Sequence, residues 1–329
     1  MDAPVLSLVL PVFNEEAIIP ELDRRLRAFL AGVGSGVGDA WEVIFVNDGS
    51  KDRSLSLLKE LAAAEPRYKV LSLSRNFGHQ MAITAGLDRA NGDAVVVMDA
   101  DLQDPPEVVS QMIARWREGF DVVFGVRSRR HGETAFKRLS ASVYYRLLRA
   151  MLGGASIPVD AGDFRLMSRP VVLTLRALRE QHRFVRGMVW WVGFRQTAVS
   201  YERPGRFAGE TKWPLRKMLR FAVDGITSFS TVPLRLATWL GVLAGLVAMG
   251  GVGWALYSKF FGGVVRGWTT IMIVVGIGSS AQLLMTGILG EYVGRIYEEV
   301  KRRPLYVVEA EINMPRDERA RDTQPPAPK

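Results

Sequence analysis

The chain has 329 residues, enough for one sizeable domain and an appendage. It contains no cysteine, which excludes disulfides, thiolate catalysis and cysteine zinc sites, and leaves any metal to carboxylates or to three histidines. The formal charge of +9 suits nucleic acid, an anionic membrane or a phosphorylated substrate alike, so the placement of the charges has to choose between them.

The N-terminus lacks a basic segment followed by an apolar run and a small-residue cleavage site, so the chain is expected to start in the cytoplasm. Apolar runs predict strands at 5–12, 41–47, 68–72, 94–98 and 122–126, and amphipathic patterns predict helices at 15–30, 53–64, 80–90 and 106–118. A glycine-rich loop covers 32–38. Strands alternating with helices are the signature of an α/β domain with a mostly parallel sheet covered on both faces. In such sheets ligands gather at the carboxyl ends of the strands. Those positions are polar here: Asn14 and Glu15, then Asp48, Gly49 and Ser50, then Arg75 and Asn76, then Asp99, Ala100, Asp101 and Gln103. A helix-cap role accounts for Asp48 or Asp104 singly but not for the whole set. The histidines, at 79, 131 and 182, have no zinc-ligand spacing and each reads as a surface or loop residue.

Further along, Trp190, Trp191 and Phe194 suit ordinary packing better than a sugar-stacking platform. Residues 214–229 carry an apolar face (Leu215, Met218, Leu219, Ala222, Val223, Ile226) with Arg216, Lys217 and Arg220 elsewhere, the pattern of a helix in the membrane interface, with a plain core helix as the competing reading. Residues 236–257 and 268–290 are free of charge and long enough to span a bilayer, the alternative being a buried core hairpin. Basic residues precede the first run and follow the second, which directs both termini and the main domain to the cytoplasmic side of the inner membrane and makes membrane lipid, not nucleic acid, the partner of the positive charge. Glycines 276, 278, 287 and 290 permit close helix approach within one chain or in a homo-oligomer. The expected organisation is a catalytic domain over 1–213, an interfacial helix and linker over 214–235, a two-helix anchor over 236–290 and a cytoplasmic extension over 291–329, disordered from 313.

Asp99 and Asp101 close an apolar strand with two carboxylates able to converge on one hard cation, Mg²⁺ or Mn²⁺, which binds such pairs together with phosphate oxygens. With Gln103, Asp104 and two prolines following, the triplet resembles the Asp-x-Asp segment of glycosyltransferase family 2, as do Asp48-Gly49-Ser50 and Arg75-Asn76-Phe77-Gly78. Gly162-Asp163-Phe164-Arg165 and the segment from Arg206 to Pro214 are similar to the polyprenyl-phosphate branch, in its bacterial form with two C-terminal membrane helices.

The resemblance implies a GT-A fold, a nucleotide-diphosphate sugar donor, most readily a uridine one, a divalent metal, and inverting transfer of one sugar to polyprenyl phosphate. Carried over by position, Pro11, Phe13, Glu15, Asp48, Asp99 and Gln103 belong to the nucleotide-sugar site, and Asp99 and Asp101 to the metal. Asp163, Asp101 and Arg165 are the catalytic candidates; Arg127, Arg165, Arg206 and Lys212 are the cations available to the acceptor phosphate. Asp163 matches the position often assigned as a base. A phosphate monoester with a second pKa of about 6 is already nucleophilic at neutral pH, so an orienting role ranks first. A processive polysaccharide synthase would carry Gln-x-x-Arg-Trp, whereas Gln181-His182-Arg183-Phe184 lacks that spacing; a non-catalytic scaffold would not need the intact acids.

Overall fold

A computed structural model describes residues 5–31, 40–127, 161–202, 232–261 and 267–314. The elements in order are β1 (Leu6–Val12), α1 (Ile19–Ala31), β2 (Trp41–Asn47), α2 (Ser54–Ala64), β3 (Tyr68–Leu73), α3 (His79–Arg89), β4 (Ala94–Val97), α4 (Val108–Arg117), β5 (Val122–Arg127), β6 (Ala161–Ser168), α5 (Arg169–Ala177), α6 (Val185–Trp191), β7 (Gln196–Tyr201), α7 (Val232–Phe261), α8 (Trp268–Lys301) and β8 (Val308–Ile312).

The strands form one sheet in the order β7-β5-β6-β4-β1-β2-β3-β8. β1 to β4 are parallel neighbours, as the alternating pattern required, while β6 and β8 run antiparallel to the strands beside them. Alternate residues feed two cores, which is why the strands read as continuous apolar runs. Leu8, Leu10, Phe45 and Val96 meet α1, α2 and α4 on one face; Val9, Ile44, Val46 and Val97 meet α3, α5 and α6 on the other. Gly86 lets α3 sit close on the sheet, since a Cβ there would lie 2.2 Å from Val9 Cγ1. That close seat fixes where the first turn of α3 projects.

Three features differ from the expectation. Helix α1 begins at Ile19, not at 15, because the amides of Glu15 and Glu16 are taken by Ser54 Oγ and Asp52 Oδ2, and Pro20 suits a first turn. The sheet gains β6, inserted antiparallel between β4 and β5, and β7 beyond them. The region after 290 is not a free extension. Helix α8 continues to Lys301, because charge ends a hydrophobic run without ending a helix, and an Arg295–Glu291 pair one turn apart lies along this part. Beyond it, β8 pairs with β3, and Asn313 donates to the carbonyls of Ala62 and Tyr68 at 2.6 and 2.9 Å, so order runs past the expected boundary at 313.

At 30 and 34 residues, α7 and α8 are long and apolar enough to cross a membrane. Trp239, Leu243 and Leu283 are 71%, 59% and 72% exposed, and almost none of either apolar stretch is buried, so the helices do not form a buried core hairpin. The proposed interfacial segment and the junction at 213 fall within 203–231, outside the described residues, whereas the expected junction at 235 falls inside α7, which already begins at Val232.

Candidate active site

The parallel strands end together, and their carboxyl ends open into a cleft of about 430 Å³. Its walls include Pro11, Phe13, Glu15, Asp48, Asp99 and Asp101, so six residues expected on sequence grounds are gathered in one place. Phe13 is 43% exposed, an unusual position for a large aromatic side chain at the end of a buried strand. The rim is rich in left-handed backbone: Asn14 and Leu102 have φ of 55° and 60°, and Gly49 and Gly78 have φ of 66° and 100°. For Leu102, between Asp101 and Gln103, that conformation is strained, and such strain is typical of binding loops.

Two loops carry most of the rim. Asp48 is buried, and its oxygens accept from the amides of Phe77 and Gly78 at 2.7 and 3.0 Å. Gly49 lies flat against the second loop, where a Cβ would come within 2.4 Å of the Arg75 carbonyl carbon. Burial raises the pKa of Asp48 even though the two amides work against that. Asp48 thus lines the cleft while shaping the loop at 75–78. Gln103 does not line the cleft; its amide donates to Asp101 Oδ1 at 3.1 Å, which fixes the Asp-x-Asp turn. Asp104, 1% exposed, accepts from Tyr201 at 2.6 Å and ties this turn to the end of β7.

The antiparallel insertion of β6 brings the second acidic element to the first. Val97 pairs with Arg165 in the last pair of the β4–β6 ladder, and Asp99 and Asp163 each lie two residues beyond that pair at the same end. His79, at the start of α3, stands between them, with Nε2 3.4 Å from Asp99 Oδ1 and 3.4 Å from Asp163 Oδ2. Desolvation at the wall works against the charged imidazole, but the two carboxylates raise its pKa above the ordinary value.

The two acids have opposite surroundings. Asp99 Oδ1 is shut off from water and accepts no hydrogen bond from the described residues, with His79 Nε2 standing off at 3.4 Å. Its pKa is pushed up to about 6, first by burial and then by Asp104, Asp163 and Asp101, with His79 opposing. Asp163 is gripped by Arg186, with Nε 2.8 Å from Oδ1 and Nη2 3.0 Å from Oδ2, and Gln80 Nε2 lies 3.4 Å from Oδ2. Burial works against its ionised form, yet Arg186, His79 and Arg165 hold its carboxyl well below the usual carboxylate range. Arg165 is itself buried, which lowers its pKa to about 10; it donates to the carbonyls of Gly162 and Asp163 and lies 3.5 Å from Asp163 Oδ1.

A buried carboxylate oxygen that accepts no hydrogen bond from the described residues, with other acids around it, is a fitting place for a divalent cation. Among the described residues no group of three or more His, Asp or Glu could hold a metal ion by itself, so a cation at Asp99 and Asp101 would need its remaining ligands from phosphate and water. Arg127 ends β5, its backbone paired with that of Tyr201, while Arg206 and Lys212 lie outside the described residues. His79, Gln80 and Arg186 were not anticipated. His79 had a signal, since it directly follows Gly78 at the same strand-end rim; Arg186 had none, because its partner is 23 residues away on another element.

Comparison with known proteins agrees with this geometry. Residues 7–176 match the glycosyl transferase family 2 model. The chain is 50% identical over 309 residues to the uncharacterized glycosyltransferase YkcC of Bacillus subtilis, covering 92% of this chain and 93% of that protein. It is 41% identical over 304 residues to the bactoprenol glucosyl transferase of Shigella phage SfII, covering 92% and 97%, and 40% identical over 304 residues to a prophage bactoprenol glucosyl transferase homolog of Escherichia coli, covering 92% and 98%. With a family match over half its length and near-complete relatives on both sides, the chain belongs to glycosyltransferase family 2.

Proposed function

We propose that the protein transfers one sugar, with inversion, from a nucleotide-diphosphate sugar to polyprenyl phosphate at the cytoplasmic face of the inner membrane. The observation that carries the reading is the pairing of Asp99 and Asp101 in the strand-end cleft with two helices in the same chain long and apolar enough to cross a membrane. Relatives named bactoprenol glucosyl transferase over nearly the full length support the choice of lipid acceptor.

In this reading Phe13 stacks against the base, Glu15 and the loop shaped by Asp48 border the nucleoside, and the diphosphate lies toward Asp99 and Asp101. A divalent cation held by those two carboxylates, Mg²⁺ or Mn²⁺, would neutralise the charge that develops on the departing diphosphate. The acceptor phosphate oxygen bonds to the anomeric carbon as the bond from that carbon to the diphosphate oxygen breaks, and the nucleoside diphosphate leaves. Asp163 acts as an orienting carboxylate. A group held ionised by a bidentate arginine is a weak base, and a lipid phosphate needs little deprotonation. Arg165 is assigned to holding Asp163, since it is buried and bonded to backbone carbonyls. Arg127, Arg206 and Lys212 are left as the cations for the acceptor phosphate.

The test is to incubate the purified full chain with a panel of nucleotide sugars, polyprenyl phosphate and Mg²⁺ or Mn²⁺, and to separate the lipid products. A single glycosyl phosphate lipid is expected with one donor, a uridine diphosphate sugar. No lipid-linked sugar with any donor would sink the reading, and a long polymer would make the protein a processive synthase instead.

A further inference from the structure

Helix α8 does more than leave the membrane. Its last turns meet the segment that joins α5 to α6. Glu299 Oε1 accepts from the Gln181 amide at 2.7 Å, Gln181 Nε2 donates to the Arg303 carbonyl at 2.7 Å, and His182 Nε2 lies 2.8 Å from Glu298 Oε2. The segment is pinned from its other side as well. Buried Arg183 donates to the carbonyls of Leu175 and Leu178, and Arg179 pairs at 2.7 Å with Asp88, which also accepts from Tyr306, a residue just beyond α8.

Directly after this clamped segment comes the machinery around Asp163. The Val185 amide, at the first residue of α6, donates to Gln80 Oε1 at 2.9 Å, and Arg186 makes the bidentate grip on the carboxylate. Five positions therefore separate an amide held by the anchor helix from the guanidinium that holds Asp163. A plain tether needs no such contacts. Catalytic groups lose much of their effect when displaced by about 1 Å, so whatever sets the entry to α6 acts on the site.

We propose that the cytoplasmic end of α8 is a positioning element of the active site: Glu299, by holding Gln181, sets the start of α6 and with it the Arg186 grip on Asp163. The inference rests on the reading that Asp163 serves the sugar transfer. It makes Glu299 a positioning residue that touches neither substrate.

The experiment uses the full chain in lipid nanodiscs as wild type, Glu299→Ala, Glu299→Gln and Glu311→Ala. Glu299→Gln keeps an oxygen for the Gln181 amide, and Glu311→Ala removes a different contact behind the anchor, the 2.6 Å pair with Arg89. Steady-state transfer is measured together with amide hydrogen exchange across 184–188. For Glu299→Ala, kcat should fall about tenfold while KM for the donor changes less than about twofold, and exchange at Val185 to Met188 should speed up about tenfold. Glu299→Gln and Glu311→Ala should stay within about twofold of wild type on both readouts. Unchanged exchange at 185–188 in Glu299→Ala, unchanged kcat in that variant, or an equal loss in Glu311→Ala would each overturn the proposal. If the wild type makes no lipid-linked sugar the functional reading fails by itself, and the exchange rates still decide whether α8 sets the start of α6.

Discussion

Asp99, just past the end of β4, and Asp163, on the neighbouring antiparallel β6, flank one imidazole and both lose water, yet their carboxyl groups are driven in opposite directions. Asp99 has acids around it and an oxygen that accepts no hydrogen bond from the described residues; Asp163 has a bidentate arginine and a second arginine behind it. The contrast separates what burial does from what partners do. Burial raises both, and only the charge partners decide which acid stays ionised. One acid is left open to take up positive charge from a ligand, and the other has already been supplied with it by the chain. His79, 3.4 Å from each, is the element shared between the two.

The largest effects should fall on the open side. Asp101→Ala or Asp99→Ala is expected to lower transfer by about a thousandfold and to abolish its response to added Mg²⁺ or Mn²⁺, checked by initial rates across a metal titration. A variant that keeps its metal response would place the ion elsewhere. On the filled side, Asp163→Asn should cost about a hundredfold in kcat. Its pH–rate profile should superimpose on that of the wild type after scaling, because a carboxylate held below the usual range stays ionised throughout neutral pH. Loss of an acid limb in the variant would restore Asp163 as a base.

The same pair makes a statement about stability. The folded pKa of Asp163 is depressed, so the stabilisation by Arg186 is present above the ordinary carboxylate value of about 4 and is lost as pH falls through the lower folded value. The stability gap between wild type and Asp163→Asn should therefore be flat from about pH 5 to 8 and close only in stronger acid, as followed by thermal unfolding. A gap that closed between about pH 6 and 7 would mean the group titrates near neutrality. Arg186→Lys, which keeps the charge and loses the fork, should lower kcat by about tenfold, measured in the same assay.

The rim was legible because strands that end in acids and amides announce themselves: Asp48 and the Asp99 to Asp101 triplet come after apolar runs, and a parallel sheet brings such ends together. The pairing of Asp99 with Asp163 was not, because nothing local says that β6 will slip in antiparallel between β4 and β5. Only the family resemblance pointed to Asp163. Arg186 was hidden for the same reason, as its role exists only once β6 is in place. Strand β8 did leave a trace: Val308, Ala310 and Ile312 alternate with Glu309 and Glu311, and the less exposed positions keep to that alternation. The trace was obscured by its place just before a polar tail.

The smallest effect belongs to that far edge of the sheet, and it sharpens the contrast between contacts that set the site and contacts that only hold the fold. Asn313 directly follows β8 with φ of 55° and donates to two carbonyls, those of Ala62 and Tyr68. Asn313→Ala removes both bonds and puts a Cβ residue without a compensating side chain in a left-handed conformation, which should cost about 1 to 2 kcal/mol. Asn313→Gly removes the bonds but relieves the backbone, so the difference between the two variants isolates the conformational part. Because β8 lies at the edge of the sheet, with β3, β2 and β1 between it and β4, kcat should remain within about twofold for both. A fall in the melting temperature with unchanged turnover is the expected result. A loss of turnover would mean that the outer edge of the sheet, like the end of α8, reaches the cleft.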